Sequence, residues 1–396
     1  MTDSPLPPAA SAALAAHRHI YGGDARVAWA PGRINIIGEH TDYNEGWVLP
    51  AAVKRHVAVA GTVIAGSVTD CFSEHHAMRA SFTNPSSPEH ALPAYLPLWS
   101  RYIWAIFAEL AALGVRVPTS RLAISGDLPV GGGMSSSAAL LTATATFLTR
   151  TAGHPIEPLA LAQLCQRAER LASGAQVGIM DQAIALLGQE GLALLLDCRD
   201  LSHEWIHGQP TGWQWLLFDT QVRHSTAAGE YNLRRAQCEA AVVKLQAALP
   251  DQRITALRDV SLADLDAPGA GLSVVERARA RHVITENGRV HRMVAAMRAD
   301  DTHEIGHLLV ASHASLRDDF AVSIEELDVA VEVATAQTGV AGARMMGAGF
   351  GGSVLILARA DDVNAISAAI TSAYEQRTGR PGKAHVEHIG DGARFR

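Results

Sequence analysis

Two domains of mixed helix and strand are what the sequence predicts, and three observations predict them. The chain has 396 residues, more than one hydrophobic core usually organises, so it is expected to divide. Short apolar runs such as GLALLLD (Gly191 to Asp197) and WQWLLFD (Trp213 to Asp219) read as strands. Longer stretches with helical spacing lie on either side of them. The region between the two runs, near residue 205, is the expected boundary, giving domains 1–205 and 206–396.

Hydrophobic residues make up 48% of the chain and charged ones 18%, with a net charge of −7. That is the composition of an ordinary soluble protein. Its acidity speaks against a nucleic-acid partner, which would call for a basic patch or stripe. The cysteines at 71, 165, 198 and 238 are widely spaced with no C-x-x-C pair, so they read as reduced thiols. The opening residues hold Asp3 and prolines where a secretory signal would be basic and unbroken. No apolar run of about 18 residues spans a membrane. A cytoplasmic, monomeric protein without a membrane partner is expected.

In chain order, a helix is expected over Ala9 to His19, then a strand through Val27, Trp29 and Ile34 to Ile37, then a second strand over Val53 to Ala60. Residues 83–98 are rich in proline and serine and read as an irregular surface segment. Trp99 to Leu113 spaces Ile103, Phe107 and Leu110 as a helix does, and Arg121 to Leu128 reads as a strand. Helices follow over Ala138 to Thr151 and Ile156 to Ser173. After the two apolar runs come a long helix from Gly229 to Leu249, a turn-rich segment over 250–272, and helices over 273–299, 301–315 and 323–337. A glycine loop entering a strand (342–357), a helix (363–376) and a strand (383–389) close the chain.

Three stretches carry chemistry. The first, WAPGRINIIGEHTDYNEGWVLP (Trp29 to Pro50), threads Arg33, Glu39, His40 and Asp42 among glycines and apolar residues. Charges inside such a run need partners, so it reads as a strand delivering polar groups to a site at its end. A surface turn with incidental ion pairs is the alternative. Its E-H-T-D run could also hold a metal, but no second histidine at i+3 or i+4 supports that.

The second stretch, LPVGGGMSSSAAL (128–140), sets Gly131, Gly132 and Gly133 and then Ser135, Ser136 and Ser137 ahead of a helix. Glycines let backbone N–H groups turn to an anion, and a helix N-terminus adds its positive end. A flexible linker would not sit between a strand and a helix. The run lacks the lysine of a Walker loop. A dinucleotide loop would need an acid about 20 residues on, where only Glu157 is available.

In the third, VGIMDQ (177–182), Asp181 stands in an apolar run and calls for a cationic partner, or else caps the helix over 182–187. A chain reversal over Gly174 to Gly178 would bring Glu169 and Asp181 to one site.

On these residues the chain resembles the galactokinases, within the small-molecule kinases that include homoserine, mevalonate and phosphomevalonate kinases. GRINIIGEHTDYNEGWVLP resembles their signature. PVGGGMSSSA resembles P-x-G-x-G-L-S-S-S-A, with Met134 in place of leucine, and VGIMDQ resembles G-I-M-D-Q. The resemblance implies an α+β fold of two domains, the first like ribosomal protein S5 domain 2 and the second ferredoxin-like, with the active site in the cleft between them. It implies Mg²⁺-dependent transfer of the ATP γ-phosphate to the anomeric hydroxyl of galactose, the first committed step of galactose catabolism.

Under that resemblance Asp181 is the catalytic base and Arg33 faces it. Ser137 and Glu169 ligate Mg²⁺. Glu39, His40, Asp42, Gly178, Asp181 and Tyr231, the last from VRHSTAAGEYNLRRAQCE (222–239), bind the sugar. Gly131, Gly132, Gly133, Met134, Ser135, Ser136, Ser137 and Ala138 bind the nucleotide, as does Trp99 near the adenine, unless Trp99 is simply core. MMGAGFGGS (345–353) resembles a third glycine motif, in which Ala348 and Met346 replace glycine and threonine and lessen the backbone's freedom. Arg170, where asparagine is common, is expected on an exposed face. Asp318 and Asp319 are expected to hold the two domains together.

Two rivals share these motifs. A sister kinase for N-acetylgalactosamine or arabinose would differ in pocket width. A non-catalytic sugar sensor would be expected to lack one of Arg33, Ser136, Ser137, Ala138 or Asp181, all present here.

Overall fold

The computed structural model of the protein describes residues 5–86, 90–129, 131–223 and 227–396, the side chains of 227 and 228 excepted. The chain opens with α1 (Pro8–Tyr21) and runs into β1 (Arg26–Asn35), a short β2 (Trp47–Val48) and the long β3 (Pro50–Val63). A hairpin of β4 (Val68–Ser73) and β5 (Met78–Thr83) leads to α2 (Leu98–Ala112) and β6 (Ser120–Gly126). Then come α3 (Ser136–Thr151), α4 (Pro158–Ser173), α5 (Met180–Leu187), β7 (Leu192–Asp197), β8 (His203–His207) and β9 (Trp213–Asp219). Helices α6 (Ala227–Ala248), α7 (Val274–Arg298), α8 (Thr302–Asp318) and α9 (Glu325–Thr335) fill most of the second half. The chain closes on β10 (Val340–Met346), β11 (Ser353–Arg359), α10 (Val363–Thr378), β12 (Lys383–Glu387) and β13 (Arg394–Phe395).

Three sheets result, in the orders β13-β1-β3-β6-β4-β5, β10-β11-β9-β12 and β2-β7-β8. All pairs are antiparallel except β4 with β6. The second sheet is a wall with a hydrophobic core on each face. Along β9, Trp215 and Leu217 face the larger core while Leu216 and Phe218 face the other. In β11, Leu355 and Leu357 divide from Val354 and Ile356 in the same way. Burial on both faces is why these strands read as continuous apolar runs instead of alternating ones.

One irregularity in the first sheet positions the site. The β1–β3 register shifts between Pro31 and Arg33, a bulge. Proline cannot donate to a ladder and fits at a bulge. Gly32 follows because a Cβ there would lie 2.4 Å from Leu128 Cδ2 and 2.8 Å from the Met134 carbonyl oxygen. The bulge re-aims the next side chain, and Arg33 turns to Asp181 at the start of α5.

Most expected elements are present, with differences that have physical causes. Residue 205 falls inside β8, which pairs with β7, and the chain passes to the second sheet over 208–212. Its last strand then returns to the first sheet, Ala28 pairing with Phe395. The β4–β5 hairpin was not expected; its turn, Glu74 to Ala77, has no glycine, proline or asparagine, and Ala77 takes φ 47°. Strand β10 was hidden by the charge of Arg344 at its centre. Asp181 is not a helix cap: Ile179 holds that position and Asp181 lies within the first turn of α5. Residues 87–89, inside the segment expected to be irregular, lie outside the described residues. Among the described residues no helix is long and apolar enough to cross a membrane.

Helix α8 and strand β10 meet backbone to backbone at Gly306 and Gly342. A Cβ on Gly306 would lie 2.0 Å from the Ala341 carbonyl oxygen. Replacing glycine by alanine inside a helix ordinarily stabilises by about 1 kcal/mol. Here Gly306→Ala is expected to destabilise by roughly 2–3 kcal/mol through overpacking, read from chemical denaturation. A gain in stability would show that helix and strand do not touch there.

Candidate active site

The cleft, of about 570 Å³, lies between the phosphate loop, the residues after β1, the start of α5, and the β10–β11 loop. At its centre the Arg33 guanidinium takes both oxygens of Asp181, Nε to Oδ1 at 2.8 Å and Nη2 to Oδ2 at 3.1 Å. Its Nη1 donates to the Gly133 carbonyl, and the Ser135 hydroxyl donates to Asp181 Oδ2. Arg33 is nearly buried. Burial opposes its charge, yet the carboxylates of Asp181 and Glu39 outweigh that and hold its pKa above the ordinary value. A carboxylate offers about four lone-pair sites, and three of Asp181's are taken. One remains for a hydroxyl entering the cleft.

The glycine-serine run expected to bind phosphate makes a tight turn into α3. Gly131 and Gly133 adopt φ 69° and 75°, and Ser135 the left-handed φ 56°. Ser135 precedes α3 but does not cap it, its hydroxyl being turned to Asp181. The first N–H groups of α3 therefore meet no side-chain cap, and they face the cleft as an anion site. Gly131, Gly133, Met134, Ser135, Ser136 and Ser137 line the cleft. Gly132 and Ala138 stand behind that lining: the Gly132 carbonyl accepts from Ser353 Oγ at 2.6 Å, and the Ala138 methyl is buried. Val130 lies outside the described residues.

Glu169 is buried beside this loop. It accepts from Ser137 Oγ at 2.6 Å and from Gln182 Nε2 at 2.5 Å, and burial pushes its carboxyl up to about 7. Among the described residues no three His, Cys, Asp or Glu side chains converge on a metal position. One carboxylate and one hydroxyl match Mg²⁺, which keeps several waters and shares its shell with substrate phosphates. The chain reverses after α4, over 174–178, so that α5 brings Gln182 onto Glu169 and Asp181 into the same cleft. Arg170 makes that reversal, donating Nε (3.0 Å) and Nη2 (2.6 Å) to the Val177 carbonyl. It is half-buried and engaged, not on the exposed face expected of it.

The opposite wall carries Glu39, His40, Asp42 and Tyr231. His40 takes φ 62°, its Nδ1 lies 2.9 Å from Tyr43 Oη, and its ring packs against Phe320 and Tyr231 at 4.7 and 5.6 Å. Burial, with His282 and Arg234 nearby, lowers its pKa to about 3, so the imidazole is neutral. Asp42 is raised to about 7 by burial and by Asp181. Gly178 packs against it: a Cβ there would fall 1.7 Å from Asp42 Oδ2. Glu39 and His40 thus face different partners, which sets aside the metal reading of E-H-T-D. Of the stretch 222–239, residues 224–226 lie outside the described residues.

Arg344 and Arg223 of the second half belong to this site without having been singled out, and Met346, noted in the sequence only as a motif substitution, joins them. Arg344, fully buried, donates to the carbonyls of Ile36 and Asn35 and to Glu39 Oε1 at 3.0 Å, and Gly347 N donates to the same oxygen at 2.8 Å. Arg223, held by Asp219 at 2.7 Å, sits over Gly131, whose Cβ would lie 2.7 Å from its Nε. Met346 Sδ accepts from Asn35 N at 3.2 Å. A charge within an apolar strand run was the available signal for Arg344. Arg223 carried none, and Met346 stands in the third glycine motif.

Two expected placements differ. Trp99 does not line the cleft; it is buried in the large core and its ring stacks on His76 at 6.2 Å. Asp318 pairs with Arg317, and Asp319 with Arg281, all within the second half of the chain. Neither aspartate joins the lobes.

Three family signatures match the chain: a galactokinase galactose-binding signature over residues 15–63, the GHMP kinases N terminal domain over 101–189, and the GHMP kinases C terminal over 293–376. A galactokinase of Chloroflexus aggregans is 43% identical over 357 residues, covering 90% of this chain and 89% of its own. The galactokinase of Homo sapiens is 39% identical over 350 residues, 87% of each. The crystal structure of Lactococcus lactis galactokinase complexed with galactose superposes with a TM-score of 0.91 at 32% identity, covering 97% of this chain and 99% of that one. Methanococcus jannaschii mevalonate kinase, at 13% identity and a TM-score of 0.64, shares the fold.

The Glu39–Arg344 pair is desolvated, so removing one partner strands a buried charge. Arg344→Met is expected to cost about 3–5 kcal/mol, measured by denaturant titration. Adding Glu39→Gln should recover at least half of that loss. A single variant costing under about 1 kcal/mol would show the pair to be solvated.

Proposed function

The chain belongs to the galactokinase family, and from that premise we propose that its cleft moves the γ-phosphate of ATP to the anomeric C1 hydroxyl of galactose, yielding galactose 1-phosphate and ADP. The observation that carries this reading is the Arg33–Asp181 pair, set between an anion loop and a wall of sugar-type groups. Galactose lies against Glu39, His40, Asp42, Gly178 and Tyr231, with C1–OH on the free lone pair of Asp181. The nucleotide phosphates rest on Gly131 to Ser137 and the open start of α3.

Phosphoryl transfer asks for positioning and charge neutralisation more than covalent help. Asp181 accepts the hydroxyl proton as the oxygen attacks the γ-phosphorus in line, and the β–γ bridging oxygen departs with ADP. Arg33 holds the Asp181 carboxylate in place for the transfer and stabilises the charge growing on the attacking oxygen. Ser137 and Glu169 would hold the Mg²⁺ that accompanies ATP. That cation supplies neutralisation of phosphate charge.

The succession β9, helices, β10, β11, α10, β12 and the order of their sheet support a ferredoxin-like second lobe. The first lobe is read as like ribosomal protein S5 domain 2. We place the change of lobe in the 208–212 connection, just past the expected 205.

Two measurements test this. In Mg²⁺-dependent ADP release over a panel of sugars, turnover is expected with galactose and little with glucose. Asp181→Asn should lower kcat at least a thousandfold while galactose binding, followed by calorimetry, stays within severalfold. Binding without turnover in the unmodified protein would favour a sugar sensor. Preference for N-acetylgalactosamine or arabinose would keep the chemistry and sink the substrate.

The second concerns pH. Glu169, raised to about 7 by burial, must shed its proton to ligate a cation. The Mg²⁺ concentration giving half-maximal turnover is therefore expected to fall as pH rises from about 6 to 8. Glu169→Gln should flatten that dependence and raise the Mg²⁺ requirement at least tenfold. A requirement that rises with pH would remove Glu169 from the metal site.

A further inference from the structure

The loop that presents Glu39, His40 and Asp42 is under backbone strain. Gly38, His40 and Glu45 take φ 95°, 62° and 56°, two of them without being glycine. Such positions persist only where the surroundings over-determine them. Part of the bracing is internal: Thr41 Oγ1 donates to the carbonyls of Gly38 and Trp47, and Gly46 N to the Thr41 carbonyl. Cys198 N and Arg258 Nη1 donate to the carbonyls of Gly46 and Glu45 at its far end, and three further contacts come from α7, more than 200 residues away in sequence.

Three α7 side chains hold the backbone of this loop. Glu286 Oε1 accepts from Gly38 N at 3.0 Å. His282 Nε2 lies 3.1 Å from the Glu39 carbonyl. Asn287 Oδ1 accepts from Trp47 N at 2.8 Å. His282, Glu286 and Val290 form one i, i+4, i+8 stripe, and Asn287 and His291 the stripe beside it. Val290 packs under Gly38, and the His291 ring meets Trp47 at 5.1 Å.

These supports are themselves fixed. Glu286 is fully buried, with Ser312 Oγ at 2.7 Å and Arg289 Nε at 2.6 Å. His282 Nδ1 lies 2.9 Å from Ser315 Oγ. The matched family signatures leave residues 190–292 uncovered, so none of the three falls inside one.

We infer that Glu286, His282 and Asn287 are positioning residues for the sugar side of the cleft, α7 serving as the template on which the 38–47 loop is held in its binding conformation. They touch no substrate atom. Their effect passes through Glu39, His40 and Asp42, and should appear in sugar affinity while the nucleotide side is spared. The inference rests on the galactose reading for its substrate, and on the loop alone for its physics.

Asn287 is half-buried, so Asn287→Ala removes an acceptor without emptying the core, and Asn287→Asp restores it. In Asn287→Ala, and in Glu286→Gln, galactose KM is expected to rise at least fivefold, with kcat and the MgATP KM within twofold. Asn287→Asp should lie near the unmodified protein. Amide exchange of residues 38–47 in the ligand-free protein should quicken at least tenfold in Asn287→Ala, with β9 and α3 unchanged. A MgATP KM rising in step with that for galactose, or loop exchange that does not change, would overturn the template. If the unmodified protein does not phosphorylate galactose, the substrate reading fails, and the exchange result alone still decides the role of α7.

Discussion

The pairing of Arg33 with Asp181 is the interaction on which the rest of the cleft depends. Their side chains are 6% and 28% exposed. Attraction at that depth does little more than offset the loss of hydration, so such a pair is weak evidence for stability. What it provides is a fixed carboxylate at a fixed place. The bulge at Pro31 and Gly32 exists to aim Arg33. The Gly133 carbonyl takes the guanidinium's third donor, which ties the phosphate loop to the same point. Ser135 gives up helix capping to complete the carboxylate's shell. Each choice runs against a local preference, and local preference yields where a site must be built.

The same logic applies to the other buried charges. Glu39 belongs to the first lobe and Arg344 to the second; Glu286, from α7, binds the Gly38 amide beside the first sheet. All three are buried, and each ties the stretch after β1 to the second half of the chain. Apolar packing alone would let two lobes slide against each other. Directional charged hydrogen bonds fix their register, which matters when one lobe brings the anion loop and the other the glycine loop facing it.

How much of this was legible follows from where each signal sits in the chain. Arg33, Asp181, Ser137 and Glu169 stand in compact motifs, where charges among glycines and apolar residues announce a need for partners. The long helices and the two-faced strands β9 and β11 were legible because their apolar spacing is local. The β4–β5 hairpin was not, since its turn depends on Ala77 adopting a left-handed backbone that alanine does not advertise. Arg344 showed only as a charge in an apolar run, and Arg223 and the α7 positions were not legible. Their meaning lies in residues 200 or more positions away, or across a lobe boundary, and a helix carrying histidine, glutamate and asparagine on adjacent stripes reads as solvated until its neighbours are known. Trp99 went the other way: an aromatic at a helix start fits a nucleotide contact and a core position equally, and packing decided for the core.

The third glycine motif shows which motif positions are physical requirements. Between Met346 and Ser353 the backbone takes positive φ at Gly347, Gly349, Gly351 and Gly352, and also at Phe350. Ala348 does not, so the loss of freedom expected from replacing glycine there costs nothing. At Gly349 and Gly351 a Cβ would also lie 2.3 and 2.6 Å from the carbonyl oxygens of Val322 and Val222, so sterics and conformation make the same demand twice. Phe350 is the exception and is held accordingly: its N–H donates to the Val322 carbonyl at 2.8 Å, and Arg234 lies over its ring at 5.3 Å. Arg234 in turn donates to the carbonyls of Phe320 and Ala321, and the Phe320 ring packs on His40. A left-handed phenylalanine in the β10–β11 loop is thus joined, through Arg234 and Phe320, to the left-handed His40. The link runs by ring contact, backbone hydrogen bond and ring contact in turn, so the two left-handed positions are held by one set of partners.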